Sequence, residues 1–270
     1  RPFLLIVPGG NHGDRLIWLG MHQLMQAAEL PYREVVHEEF MEMGDLPPET
    51  VVYIHGGGGF VPWWSGKPMR AIERLLLSHR GDLILGPTTV HPDADFLSSC
   101  LIDPLRRMVC RSVHLFARER VSYEFLKAEC GREAEVILDH DTALNLTGQV
   151  LRRLGGVAER PPCRPEKVFY FRDDREVPAE LSPGLLAVDP VRCSRSFEEW
   201  VRLHAYPRMV VTNRLHSAIA CYLLGTKVAL AANSSHKTRA VWEFSLKDRG
   251  VEWIDAPSGI ADVDGTIALV

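Results

Sequence analysis

The octapeptide TNRLHSAI, residues 212–219, sets an arginine and a histidine two positions apart where an apolar stretch, 209–212, gives way to a helix. Asn213 reads as the N-cap. Leu215, Ala218, Ile219, Tyr222 and Leu223 keep the i, i+3, i+4, i+7, i+8 spacing of a core-facing stripe over 214–224. Arg214 and His216 then flank that seam in the first turn, among backbone N–H groups without intrahelical acceptors and at the positive end of the helix dipole. Two cationic groups oppose the dipole there unless an anion joins them. A helix N-terminus with a guanidinium fork and an imidazole describes a phosphate or carboxylate pocket. Gly225 stops the helix, and the next strand leads to Asn233 and Lys237 at a second helix start in the same sheet.

Three further loops carry residues of interest. PGGNHGD, residues 8–14, has glycines for a sharp turn and close backbone approach, with Asp14 placed as an N-cap. It is neither G-x-G-x-x-G nor a Walker A loop, which excludes the usual dinucleotide and ATP readings. HGGGGF, residues 55–60, places four glycines after a buried strand, more than a turn requires, so backbone N–H contact with a ligand is the reading. Trp63 and Trp64 just beyond could stack on a sugar ring. Asn11, Gly57 and Gly58 are the expected substrate-contacting positions of these two loops. In FARERVSYEFL, residues 116–126, Arg118 ends a strand and Arg120 points the other way, so Arg118 is expected to face the site.

These loops require strands to carry them, and the chain alternates strand-like and helix-like segments throughout. Strands are expected at 3–8, 32–38, 51–55, 82–87, 112–117 and 134–139, with helices at 15–29, 68–80, 94–107 and 119–130 between them. VAERPPCRPE, residues 157–166, reads as a linker. A second set follows: strands at 167–172, near 185–188, 209–212, 227–232 and 251–254, and helices at 196–205, 214–224 and 237–249. The fold class expected is α/β, with two Rossmann-like doubly wound domains, 1–155 and 156–270, facing a cleft. The 270 residues carry a net charge of −4, and no global basic field points to nucleic acid. No apolar run approaches the ~20 residues that cross a bilayer, and no secretory signal is present. Six dispersed cysteines without a C-x-x-C pair suit a reduced, cytoplasmic setting, and eleven scattered histidines have no metal-ligand spacing. No metal is expected.

In order along the chain, GGNHGD, HGGGG, Arg118-Glu-Arg-Val-Ser122, Asp139 and Asp141 before Ala143-Leu144, and VVTNRLHSAIACYLLGTKVALAANSSHK (residues 210–237) resemble the polysaccharide pyruvyl transferase family. The resemblance implies a two-domain, glycosyltransferase-like GT-B fold. It also implies transfer of a pyruvyl group from phosphoenolpyruvate, the donor substrate, to a sugar acceptor, lipid-linked or free, with no other cofactor. Membership would put Arg214, Leu215, His216 and Arg118 on phosphoenolpyruvate. The donor's phosphate and carboxylate need at least two fixed cations, and arginine matches both. His216 is then the acid that protonates the donor's methylene carbon, and Asp14 a carboxylate able to accept the hydroxyl proton. Two other readings share the residues: a GT-B glycosyltransferase using a nucleotide-sugar, and a non-catalytic homologue that binds glycan or phosphate. The expected partners exclude nucleic acid and a membrane span, with peripheral contact at the inner membrane face.

Overall fold

The computed structural model describes residues 1–61, 66–157, 164–174 and 187–255. Trp63, Trp64, the linker prolines Pro161 and Pro162, and most of the strand expected near 185–188 lie outside them. Of that strand, Val188 makes an isolated parallel bridge to Tyr170.

FLLIV, strand β1 (Phe3–Val7), is apolar at every position because both its faces are covered. Leu4 and Ile6 enter one core with Ile72 and Leu75, while Leu5 enters another with Met21, Met25 and Tyr53. Around β1 the first sheet adds β2 (Tyr32–Val36), β3 (Val51–Ile54), β4 (Gly57–Phe60), β5 (Asp82–Val90), β6 (Ser112–Ala117) and β7 (Glu135–Leu138). Its order is β2-β1-β3-β5-β6-β7, all parallel, with β4 paired to the far end of β5. The winding reverses between β1 and β3. Both glycine loops leave the sheet at the carboxyl ends of those two strands, where an open α/β sheet offers its binding crevice.

Six strands were expected here, and the seventh is part of the glycine run itself. Gly57 pairs with Thr88, and Thr88 Oγ1 donates to the Gly57 carbonyl at 2.9 Å. A Cβ on Gly56 would lie 2.1 Å from the Pro87 carbonyl oxygen, and Gly57 sits at φ 132°. Close backbone packing at Gly56 and a positive φ at Gly57 therefore account for these two glycines without a ligand.

The second sheet is β11-β10-β9-β8, also parallel: β8 (Lys167–Tyr170), β9 (Met209–Thr212), β10 (Lys227–Ala231) and β11 (Glu252–Ile254). From β8 to β11 the strands follow chain order, while Val188, which lies between β8 and β9 in sequence, bridges Tyr170 on the side of β8 away from β9, so the order reverses at β8 as it does at β1 in the first sheet.

The chain divides into two compact units, one of Arg1–Gly10 with Ile17–Asn145 and one of Asn11–Leu16 with Leu146–Val270. The division falls about ten residues before the expected 155/156. The reason is the helix Gly148–Leu154, unforeseen, which packs on the helix Leu215–Leu224 of the second unit. A Cβ on Gly148 would lie 2.1 Å from the Leu223 carbonyl oxygen, Arg152 donates to the Leu224 carbonyl, and Arg202 donates to the Gly155 carbonyl at 3.1 Å. The six residues 11–16 are likewise held by second-unit partners, with the Arg15 guanidinium 4.7 Å over the Phe197 ring.

Candidate active site

In the second unit the neighbouring strands β8, β9 and β10 end side by side, and the residues after each carry charge or polarity to one end of the sheet. Asn213, fully buried, does not cap the helix as expected. Its Oδ1 accepts from the Arg172 amide at 2.9 Å and ties the turn after β9 to the turn after β8. Thr212 Oγ1 donates to the Tyr170 carbonyl at 2.6 Å and accepts from the Arg214 amide at 3.0 Å. The helix consequently starts one residue later than expected, at Leu215, with Arg214 in the N-cap position and no side chain capping the first turn. The N-cap side chain makes no bond to the opening amides of the helix.

Arg214 is not a lone cation. Nε donates to Asp189 Oδ1 at 2.7 Å, Nη2 to Asp189 Oδ2, and Nη2 also reaches Asp174 Oδ2 at 3.3 Å. Arg172 grips Asp174 with Nε and Nη2 at 2.7 and 2.8 Å. Two guanidinium groups and two carboxylates thus form a charge-balanced set in which the Arg214 fork is held bidentately and its plane is fixed. Among the described residues no acceptor is assigned to Arg214 Nη1. None of these carboxylates was singled out in the sequence. The signals existed: Asp189-Pro190 is a helix N-cap followed by proline, with Asp189 accepting from the Val191 amide at 3.1 Å, and Arg172-Asp173-Asp174 is a charged run at a strand end.

His216 lies in the first turn of the helix, against the opening turn of the helix His12–Ala27, whose residues 11–16 belong to the same unit. Its Nδ1 is 3.8 Å from Asp14 Oδ1. The neighbouring Gly13 is what admits the ring: a Cβ there would lie 2.8 Å from His216 Cβ and 3.2 Å from Nδ1. Asn11, not Asp14, is the N-cap. Its Oδ1 accepts from the Gly13 amide at 2.7 Å, and the Asp14 carboxylate accepts from the Asn11 amide at 2.9 Å. This reciprocal arrangement is a capping box, with Asp14 in the position usually filled by Glu. It holds one carboxylate oxygen and leaves the other toward His216. An imidazole and a carboxylate at this separation can exchange a proton with a group, or a water, placed between them.

The other expected residues have these positions. Leu215 is buried and belongs to the core stripe. Asn233 closes its own turn, accepting from the Ser235 amide at 3.1 Å and hydroxyl at 3.3 Å, and Lys237 is buried in the first turn of the helix His236–Val241. Gly58 continues β4. Arg118, expected to face the site, is 1% exposed inside the first unit: Nη1 donates to Asp141 Oδ2 at 2.7 Å and Nε to Thr89 Oγ1 at 2.9 Å. Glu119 beside it is the N-cap of the helix Arg120–Cys130, accepting from the Ser122 amide at 3.0 Å. Sequence spacing offered no metal site, yet the fold of the first unit brings His22, Glu34 and His55 together.

The family model described as polysaccharide pyruvyl transferase matches residues 11–235. The chain belongs to that family. The match to pyruvyl transferases opens on Asn11, the cap that fixes Asp14, and it spans Arg118, Arg214, His216 and Asn233, while Lys237 lies just past its end. No curated protein matches the chain. Among solved structures, a functionally uncharacterised protein from Klebsiella pneumoniae is similar with a TM-score of 0.72 at 20% identity, over 95% of this chain and 93% of that one. That similarity shows the fold alone.

Proposed function

We propose that the protein moves a pyruvyl group from phosphoenolpyruvate to a pair of hydroxyls on a sugar of a glycan or glycolipid precursor, giving a pyruvate ketal and inorganic phosphate. The observation that carries this reading is the His216–Asp14 pair beside an uncapped helix N-terminus and the fixed Arg214 fork. The helix amides and Arg214 Nη1 receive the donor's anionic groups. His216 as imidazolium gives its proton to the methylene carbon, which becomes the methyl group. One sugar hydroxyl adds to the adjacent carbon and loses its proton to a carboxylate, for which Asp14 is the candidate. Phosphate leaves with the C–O electron pair and takes up the proton of the first hydroxyl, and the second hydroxyl closes the ketal as its proton returns to His216. Arginine and amide donors oppose the charge that develops on the leaving phosphate.

The same reading includes a GT-B-like arrangement and a cytoplasmic location with access to a lipid-linked acceptor. Among the described residues no helix is long and apolar enough to cross a membrane. Incubation with phosphoenolpyruvate and a panel of sugar acceptors tests the proposal, with acceptor-dependent release of phosphate expected. Preferential binding of uridine or guanosine diphosphate would assign a nucleotide-sugar transferase instead. Binding of phosphoenolpyruvate with no phosphate release from any acceptor would leave only a binding protein.

A further inference from the structure

Parallel register in the first sheet sets Glu34 of β2 level with Leu5 of β1, and Leu5 level with Tyr53 of β3. Side chains level with one another in such a sheet share a face, and the period of two adds His55 to it. This is the face on which Met21 and Met25 of the helix His12–Ala27 pack over Leu5 and Tyr53. His22 comes from the same helix, next in sequence to Met21. It meets Glu34 there: Nε2 contacts Glu34 Oε2, and the same oxygen lies 3.5 Å from His55 Nε2. One ligand-capable atom from each of the three lies within 4.8 Å of the other two.

The rings are held in place. His22 stacks on Tyr32 with centroids 5.4 Å apart at 21°, and His55 meets Tyr53 edge-on at 5.3 Å and 86°. His55 is 1% exposed, its Nδ1 makes no hydrogen bond among the described residues, and its Nε2 faces Glu34 at a separation long for a hydrogen bond. A buried imidazole so poorly served is destabilising, a cost that a ligand on its nitrogen would relieve. The His22 and Glu34 side chains are 25% and 32% exposed, which gives the cluster one wet side.

We propose that His22, Glu34 and His55 bind a divalent transition-metal ion of the zinc type. Two imidazole nitrogens and one carboxylate oxygen form a donor set suited to zinc or cobalt and poor for magnesium or calcium, which take oxygen. Three protein ligands with an open wet side leave a position for water or a ligand oxygen. An ionised carboxylate and a neutral imidazole are the forms a metal requires. The ion would fasten the residue that begins the glycine run to the helix above it. The site uses no residue of the pyruvyl-transfer reading and stands or falls apart from it.

The test is titration of chelator-treated protein with Co2+, Zn2+ and Mg2+. One equivalent of Co2+ is expected to bind with a visible ligand-field spectrum, Zn2+ to displace it and raise Tm, and Mg2+ to do neither. His22→Ala and Glu34→Gln, both at partly exposed positions, should each weaken Co2+ binding at least about tenfold. Their metal-free Tm, read alongside, distinguishes a lost ligand from a lost fold. Absence of saturable binding in the wild type, or variants that bind Co2+ as the wild type does, would overturn the proposal.

Discussion

At the scale of single residues, Arg214 and His216 are expected to separate kinetically. Arg214→Lys keeps the charge but loses the fork that Asp189 holds, so donor KM should rise strongly with a smaller change in kcat. His216→Gln keeps hydrogen bonding without a transferable proton, and kcat should fall by ~10²-fold with little change in KM. Steady-state assays of phosphate release read both, and a His216→Gln enzyme altered only in KM would reduce His216 to an anion ligand. Arg118 has a different expectation. Removing it strands the Asp141 carboxylate in the core, and breaking such a buried pair costs about 3–5 kcal/mol. Urea denaturation of Arg118→Ala should show that loss, and Arg118→Met with Asp141→Leu should recover most of it; equal stability of single and double variants would refute the pairing. Residue types at the site were legible in the sequence, because a guanidinium, an imidazole and a helix start announce anion chemistry wherever they meet. Their partners were not. Asp189 and Asp174 lie 25 and 40 residues from Arg214, and Asp141 lies 23 from Arg118, and only the fold sets which carboxylate answers which cation.

At the scale of elements, the helix Phe197–Ala205 offers a clean pH experiment. His204 is fully buried, its Nδ1 bonded to the Trp200 carbonyl at 2.7 Å, its ring 4.2 Å from Trp200 and 5.3 Å from Tyr170. Burial lowers its pKa to about 4. The unfolded chain takes the proton first, near the ordinary value of about 6.5, so the neutral ring's contribution is whole above that pH and is lost as pH falls from there to about 4. The full effect is on the order of 3 kcal/mol. Thermal unfolding across that range should show the slope, and His204→Phe should flatten it; an unchanged slope would mean another group titrates. Strand and helix types were largely legible here. Apolar runs such as MVVT and SVHLFA appear as β9 and β6 where periodicity put them. What periodicity hides is a strand made of glycine, since β4 has only Phe60 to mark it, and a seven-residue helix such as Gly148–Leu154, whose Thr147 cap and Gly155 stop are its only local signals.

At the scale of the whole molecule, the sequence revealed two α/β sets and their order, but the assignment of residues 11–16 lay beyond it. No local pattern links Gly13 to His216. The contact exists because a missing Cβ leaves room for a ring about two hundred positions away. Calorimetry is expected to show one unfolding transition in which the van't Hoff and calorimetric enthalpies agree, since the second unit is incomplete without a segment of the first fifteen or so residues. Two resolved transitions would show that the units melt independently.

The brief passage of residues 11–16 through the second unit has a consequence for synthesis. These residues leave the ribosome well before Phe197 and His216, against which they rest. Domains otherwise fold as units in order of their appearance, at roughly 5–20 residues per second. Here the opening turn of the first long helix must wait some ten seconds or more for its partners at those rates. Until then its order comes from the cap that Asn11 and Asp14 form and from the helix that continues to Ala27. The histidine and carboxylate of the candidate site therefore meet late, and a nascent chain that ends short of His216 holds Asp14 without that neighbour.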